Sequence, residues 1–229
     1  MSADPRESAV FPLTHAHLPG DVVVLRVFEP RYLAMFGRMD ADGCGTFTTV
    51  LIERGPEVGG GDRRFGLGAE VQVDLVAEQA GTLVVTGLAT HAVEVVEWLA
   101  DDPWPRAIVS AVDPVPESRE SLRDAASAIT LLAQSVRSLL ARHGVDAESV
   151  PGTALSSLST VAAGRWHGGE PMLHDVDVAL WSVARAVPCG PLDRHSLLAP
   201  GSVKERVGTL RRIVEHTDEV LAFGRDGRG

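Results

Sequence analysis

The chain reads as an α+β protein in which a closed or nearly closed β barrel precedes a helical bundle. Two observations carry this. Short runs rich in valine, threonine and isoleucine fill the first half at nearly even spacing. Beyond the segment Asp113-Pro114-Val115-Pro116-Glu117, the hydrophobic period changes from two to alternating steps of three and four. The 229 residues suffice for one substantial core and a satellite. The expected division places the barrel at residues 9–113 and the bundle at residues 118–224.

Strands are expected at residues 22–28, 46–52, 69–77, 83–86, 91–98 and 107–112, separated by Gly43, Gly55, Gly81 and the Asp101-Asp102-Pro103 cluster. Glu70-Val71-Gln72-Val73-Asp74-Leu75 alternates as a strand with one buried face should, and residues 78–81 read as a hairpin connection. One helix interrupts the strands. Pro30 suits a first helical position, Glu29 suits the positive end of the dipole, and Tyr32, Leu33 and Phe36 share a face up to about Met39. In the second half, Leu122, Ala125, Ile129, Leu132, Val136 and Leu139 mark a bundle helix between Ser118 as N-cap and Gly144 as stop. Leu155, Leu158 and Val161 mark a shorter one. Leu173, Val176, Leu180, Val183 and Val187 mark another, ended by Pro188. Ser202-Val203-Lys204-Glu205 is a capping-box pattern opening the last helix, which buries Val203, Val207, Leu210, Val214 and Leu221 and frays from Gly224 onward.

Composition removes several function classes. A net charge of −10 argues against a phosphate-backbone partner, so nucleic acid is not expected. No apolar run approaches bilayer length and the first eight residues are not a secretory signal, so a cytoplasmic protein without membrane attachment is expected. Cys44 and Cys189 read as two unpaired thiols of a reducing compartment. Lys204 is the only lysine and follows Val203, so there is no phosphate-binding P-loop. The loop Gly55-Pro56-Glu57-Val58-Gly59-Gly60-Gly61-Asp62 runs into another strand and lacks the helix dipole an anion cradle needs; a mobile connection is the better reading. His15 with His17, and His167 with His174, Asp175 and Asp177, lack zinc-ligand spacing, so neither a metal nor a cofactor is expected. The serines show no nucleophile elbow, and no catalytic residue is assigned. Trp98, Trp166 and Trp181 read as core or seam residues. Trp104, between Pro103 and Pro105, is held out of a regular ladder and reads as partly exposed.

At Phe11-Pro12-Leu13, Leu18-Pro19-Gly20 and Phe28-Glu29-Pro30-Arg31-Tyr32 the chain resembles the N-terminal domain family of Lon proteases. The resemblance continues through residues 50–55, Glu57-Val58-Gly59-Gly60-Gly61, Gly66-Leu67-Gly68, Gly87-Leu88 and the corner from Glu97-Trp98-Leu99 to Asp102-Pro103-Trp104-Pro105. It closes with Val187-Pro188, Leu192-Asp193, Leu197-Leu198 and residues 203–210, so it spans about residues 11–221. His17, Asp21 and Val24 depart from the family pattern, which more often has apolar residues at the first two and proline at the third. The resemblance implies a PUA-like pseudo-barrel followed by a helical bundle; because there is no P-loop and Lys204 is the only lysine, a stand-alone member without ATPase or peptidase chemistry is expected.

The expected function is therefore non-catalytic binding of unfolded or flexible polypeptide segments, adaptor-like, through a hydrophobic groove at the junction of barrel and bundle. Phe28, Arg31, Tyr32 and Trp104 are the candidate peptide-binding residues. The alternative is a small-molecule sensor that uses the barrel's pocket.

Overall fold

The structure is a computed structural model, and it describes residues 4–41, 45–79, 82–145, 152–164 and 170–226. Cys44, Trp166, His167 and the expected turn residues Gly43 and Gly81 lie outside the described residues. Two compact units divide at Asp113 and Pro114. Strands fill the first and helices the second, as the change of period requires.

The first unit contains β1 (Arg6–Leu13), β2 (Val22–Val27), α1 (Pro30–Ala41), β3 (Thr46–Arg54), β4 (Arg63–Gln79), β5 (Thr82–Trp98) and β6 (Arg106–Ala111). Pairings run in a circle, β5–β4–β3–β1–β6–β5, with β2 added alongside β5. All are antiparallel except β1 with β3. This is the pseudo-barrel that the resemblance implies.

Three strand expectations change. Residues 83–86 and 91–98 belong to one strand, because Gly87 and Leu88 continue the ladder with both β2 and β4 and Ala89 continues it with β4. The segment before Leu13 is a strand although it carries Arg6, Glu7 and Pro12; only its second half is apolar enough to signal one. The alternation through residues 70–75 fails at its end. A register shift between Val73 and Leu75 turns Leu75 outward, 55% exposed, as an inserted residue must. At its start Glu70 is buried, paired with Arg6 and lying 3.7 Å from His91.

Four aromatic rings fill the core. Phe11 lies 4.2 Å from Tyr32 and 6.0 Å from Phe36 between ring centroids, and Phe36 meets Phe47 edge-on at 5.1 Å. Tyr32, Met35 and Phe36 are all buried, so α1 inserts one face into the barrel, on the helical spacing that the sequence shows. Backbones approach closely where side chains are absent. A Cβ on Gly68 would stand 2.1 Å from the Thr49 carbonyl oxygen, and one on Gly87 2.4 Å from that of Gln72. Those contacts account physically for both glycines.

The second unit contains α2 (Arg119–His143), α3 (Gly152–Ala162), α4 (Leu173–Ala186), α5 (Pro191–Ser196) and α6 (Val203–Asp226). Ser118 caps α2 by accepting from the Ser121 amide at 3.1 Å, and Gly144 ends it in the left-handed region. The capping box of α6 is reciprocal: Ser202 Oγ accepts from the Glu205 amide at 3.2 Å while Glu205 Oε2 accepts from the Ser202 amide at 2.8 Å. The helix extends through Gly224 to Asp226, and residues 227–229 lie outside the description. The six-residue α5 is too short to show a period, and only Pro191 and Asp193 mark its start.

Asp177 ties α4 to α6. Its carboxylate accepts from Trp181 Nε1 at 2.9 Å and pairs with Arg206 at 2.9 Å, and the Arg206 guanidinium lies over the Trp181 ring.

Two predictions follow from this packing. Gly68→Ala should lower unfolding free energy by about 1–3 kcal/mol through overpacking, while Gly37→Ala, on α1 with open space, should be neutral or stabilising by up to about 1 kcal/mol. Urea denaturation of both variants reads the contrast. Asp177→Ala should cost about 3–5 kcal/mol, because the buried Arg206 loses its counter-charge, and thermal unfolding should move accordingly.

Candidate functional site

A slot of about 300 Å³ opens in the barrel unit. Residues 24–29 line one side of it, Phe11, Leu13 and Tyr32 the floor, and Glu57 with Val58 the roof. Along β2, Val23, Leu25 and Val27 are buried while Val22, Val24 and Arg26 point outward. Successive residues on opposite faces of a strand can all border one cavity only if it runs along the strand's edge. Among the described residues β2 pairs with β5 alone, so that edge is unpaired.

The outer face beside the slot is apolar. Ladder partners share a face, so Val22 sits with Leu88, and Val24 with Thr86 and Leu75, across β2, β5 and β4. Val22 and Val24 are each 61% exposed, and Phe28, just past the strand, is 58% exposed. Val58 on the roof loop is exposed as well.

The glycine-rich loop is not a slack connection. Thr14 Oγ1 donates to Glu57 Oε2 at 3.1 Å, and the Gly59 amide donates to Glu29 Oε2 at 3.1 Å. Glu29 also pairs with Arg31 at 3.1 Å, whose guanidinium lies 4.5 Å from the Tyr32 ring centroid. Gly60 has φ 80°, and a Cβ there would stand 3.0 Å from Arg31 Nη1. Asp62 anchors the far end through Arg64, which also pairs with Asp101 at 2.8 Å. Burial alone would raise the Asp62 carboxyl, but hydrogen bonding and charge from Arg64 outweigh it and hold the group below its ordinary 3.8. Burial pushes the Tyr32 hydroxyl up to about 12, so it stays neutral.

A family model of the ATP-dependent protease La (LON) substrate-binding domain matches residues 7–216. The chain belongs to that family. Of solved structures, the Lon N-terminal domain protein from Xanthomonas campestris shares 20% identity at a TM-score of 0.57, covering 90% of this chain and 98% of that one. The N-terminal domain of the Mycobacterium avium complex Lon protease shares 15% identity at a TM-score of 0.61, covering 92% and 98%. These two likenesses establish the fold. No curated protein matches the chain.

Within this Lon-type barrel, the four candidate residues fall in different settings. Phe28 stands exposed at the slot. Tyr32 is 2% exposed and forms its floor, where it shapes the cavity more than it offers a surface. Arg31 lies beneath the loop. Trp104 sits outside any strand and packs, partly buried, against the aromatic core. Val24, Val58 and Glu57 were missed by sequence reasoning. Val24 was recognisable as an outward position of an alternating strand, but no local signal marks Val58 as a roof residue. Asp21, an apparent departure from the family, is buried and accepts from the Leu18 amide at 2.8 Å, closing the turn into β2.

His15 and His17 stack edge to face, and no group of three metal-ligating side chains exists among the described residues. Cys189 carries a free thiol, which burial pushes up to about 11. Trp98 is 38% exposed beneath Arg64, not core. No described helix is long and apolar enough to cross a membrane. Larger concavities, about 510 Å³ each, run between α2 and α6, but charged side chains of both signs line them and no aromatic does.

The loop anchor has a definite pH dependence. A carboxylate held below its ordinary value adds stability above that value and loses it as pH falls through the lower folded one. Backbone order at Gly59, Gly60 and Gly61, read by heteronuclear NOE, should therefore persist down to the ordinary 3.8 and fall as the pH drops below it. Arg64→Gln should loosen the loop at neutral pH and remove the transition.

Proposed function

We propose that this chain is a non-catalytic, cytoplasmic module that binds unfolded or flexible polypeptide segments at the slot beside β2. One observation carries the reading: exposed Val24, Phe28 and Val58 gather around a preformed cavity at an unpaired strand edge. Isolated exposed apolar residues are ordinary, but a cluster at a concavity marks an interaction site. Membership of a substrate-binding domain family supports it. Phe28 is the anchor, Tyr32 shapes the floor, Arg31 holds the loop, and Trp104 supports the core behind. The net charge of −10 disfavours nucleic acid.

Isothermal titration with a permanently unfolded model protein tests this. Binding should show a negative heat-capacity change and little salt dependence. Phe28→Ala should weaken it by about 1–2 kcal/mol, roughly 5- to 30-fold, whereas Phe223→Ala, more exposed still but on α6, should leave it unchanged. Equal loss in both variants would remove the slot from the reading. No unfolded-protein binding, with a saturable thermal shift by one metabolite, would favour a small-molecule sensor instead.

A further inference from the structure

We infer that the occupant of the slot is an extended segment of about six residues, apolar at alternate positions and carrying lysine or arginine at one end, which adds as a strand to the free edge of β2. This rests on the polypeptide-binding reading and specifies its mode.

The backbone supplies the first reason. In an antiparallel strand, alternate residues turn both N–H and C=O away from the paired neighbour. β2 contains no proline, so every residue keeps its donor, and no described strand covers the far edge. Such an edge is a template for another chain. The cavity borders four consecutive residues of this strand, Val24–Val27, and the two that follow, so it runs along the chain instead of lying beneath one side chain.

Side chains supply the second. A strand laid there would place alternate residues over Phe11, Leu13 and Tyr32, and the others beside exposed Val22 and Val24. An apolar residue every second position satisfies the floor.

Size and charge select the occupant. The six-residue edge is about 20 Å long and about 5 Å wide, a footprint on the order of 100 Å². A stable dimer needs about 800 Å² per partner, and two copies at −10 each repel. A narrow chain threading beneath Val58 fits where a second folded domain does not. The exposed Glu57 carboxylate on the roof, within a chain of this charge, favours a basic residue over an acidic one at that end.

The test uses the whole protein and a capped hexapeptide in which valine alternates with threonine after a leading lysine. Two analogues carry backbone N-methyl groups, one at odd positions and one at even. N-methylation removes donors and keeps side chains. One analogue should lose roughly 10- to 100-fold in affinity and the other less than about threefold. Bound peptide should also slow amide exchange at alternate residues of β2. Equal affinity of the two analogues, or uniform protection along β2, would overturn strand addition while unfolded-protein binding lost in Phe28→Ala kept the broader reading intact. Failure of peptide and unfolded protein alike would overturn both. A concentration-dependent dimer that the peptide dissociates would assign the edge to a second copy and overturn the proposed occupant. Replacing the leading lysine with glutamate should weaken binding at low salt; tighter binding would reverse the charge assignment.

Discussion

The 17-residue strand β5 has more edge than any one short neighbour can cover. On one side β4 follows it from Thr82 to Glu94. On the other side β2 takes residues 83–88 and β6 takes residues 93–98. Because β6 goes on to pair with β1, the circle closes through β6, and β2 is left as a strand with one neighbour. The slot, its exposed edge and its apolar outer face all descend from this division. A barrel that closed through β2 would have no such opening, since closure alone removes edges.

The opening must coexist with a stable core. A free hydrophobic edge normally invites aggregation, and β2 carries few protections beyond its short length and Arg26. The glycine-rich loop supplies another. Anchored by Thr14, Glu29 and the Asp62–Arg64–Asp101 pairs, it stands over the edge without pairing with it. Its glycines allow positive φ at residues 55 and 59–61, so the chain can turn tightly enough to bring Glu57 and Val58 over the slot. Contacts that hold the roof in place would reduce the entropy lost when a segment binds.

Much of this architecture was legible in the sequence, for identifiable reasons. The buried stripe of α2, its Ser118 cap and Gly144 stop, and the capping box of α6 are local, and local physics decides them. The seam at Asp113 is visible because helices and strands bury side chains at different periods. What was not legible depends on partners distant in sequence. Residues 82–98 look like two strands because Gly87 weakens the pattern at the point where Gln72 must approach closely. Leu75 reads as core until a register shift turns it outward. Arg6 and Glu7 conceal a strand because pairing with β6, and the partnership of Arg6 with Glu70, lie about 60 to 100 residues away.

The site was legible only in part for the same reason. Phe28 could be named because the motif around it is contiguous, and Tyr32 because it lies four residues further on. Tyr32, however, was named as a surface anchor and stands as floor: helical spacing put it on the face of α1 that Phe36 shares, and that face enters the core. A strand edge left open by a missing neighbour has no sequence signature of its own. It is defined by what β5 does with its other side, and that is settled only when β6 docks to residues 93–98. The features that do carry a local signature are the ones that hold the slot open: the glycines of the roof and the alternation of β2. Read together with the ladder, they turn an ordinary valine-rich strand into an edge with a cavity beside it.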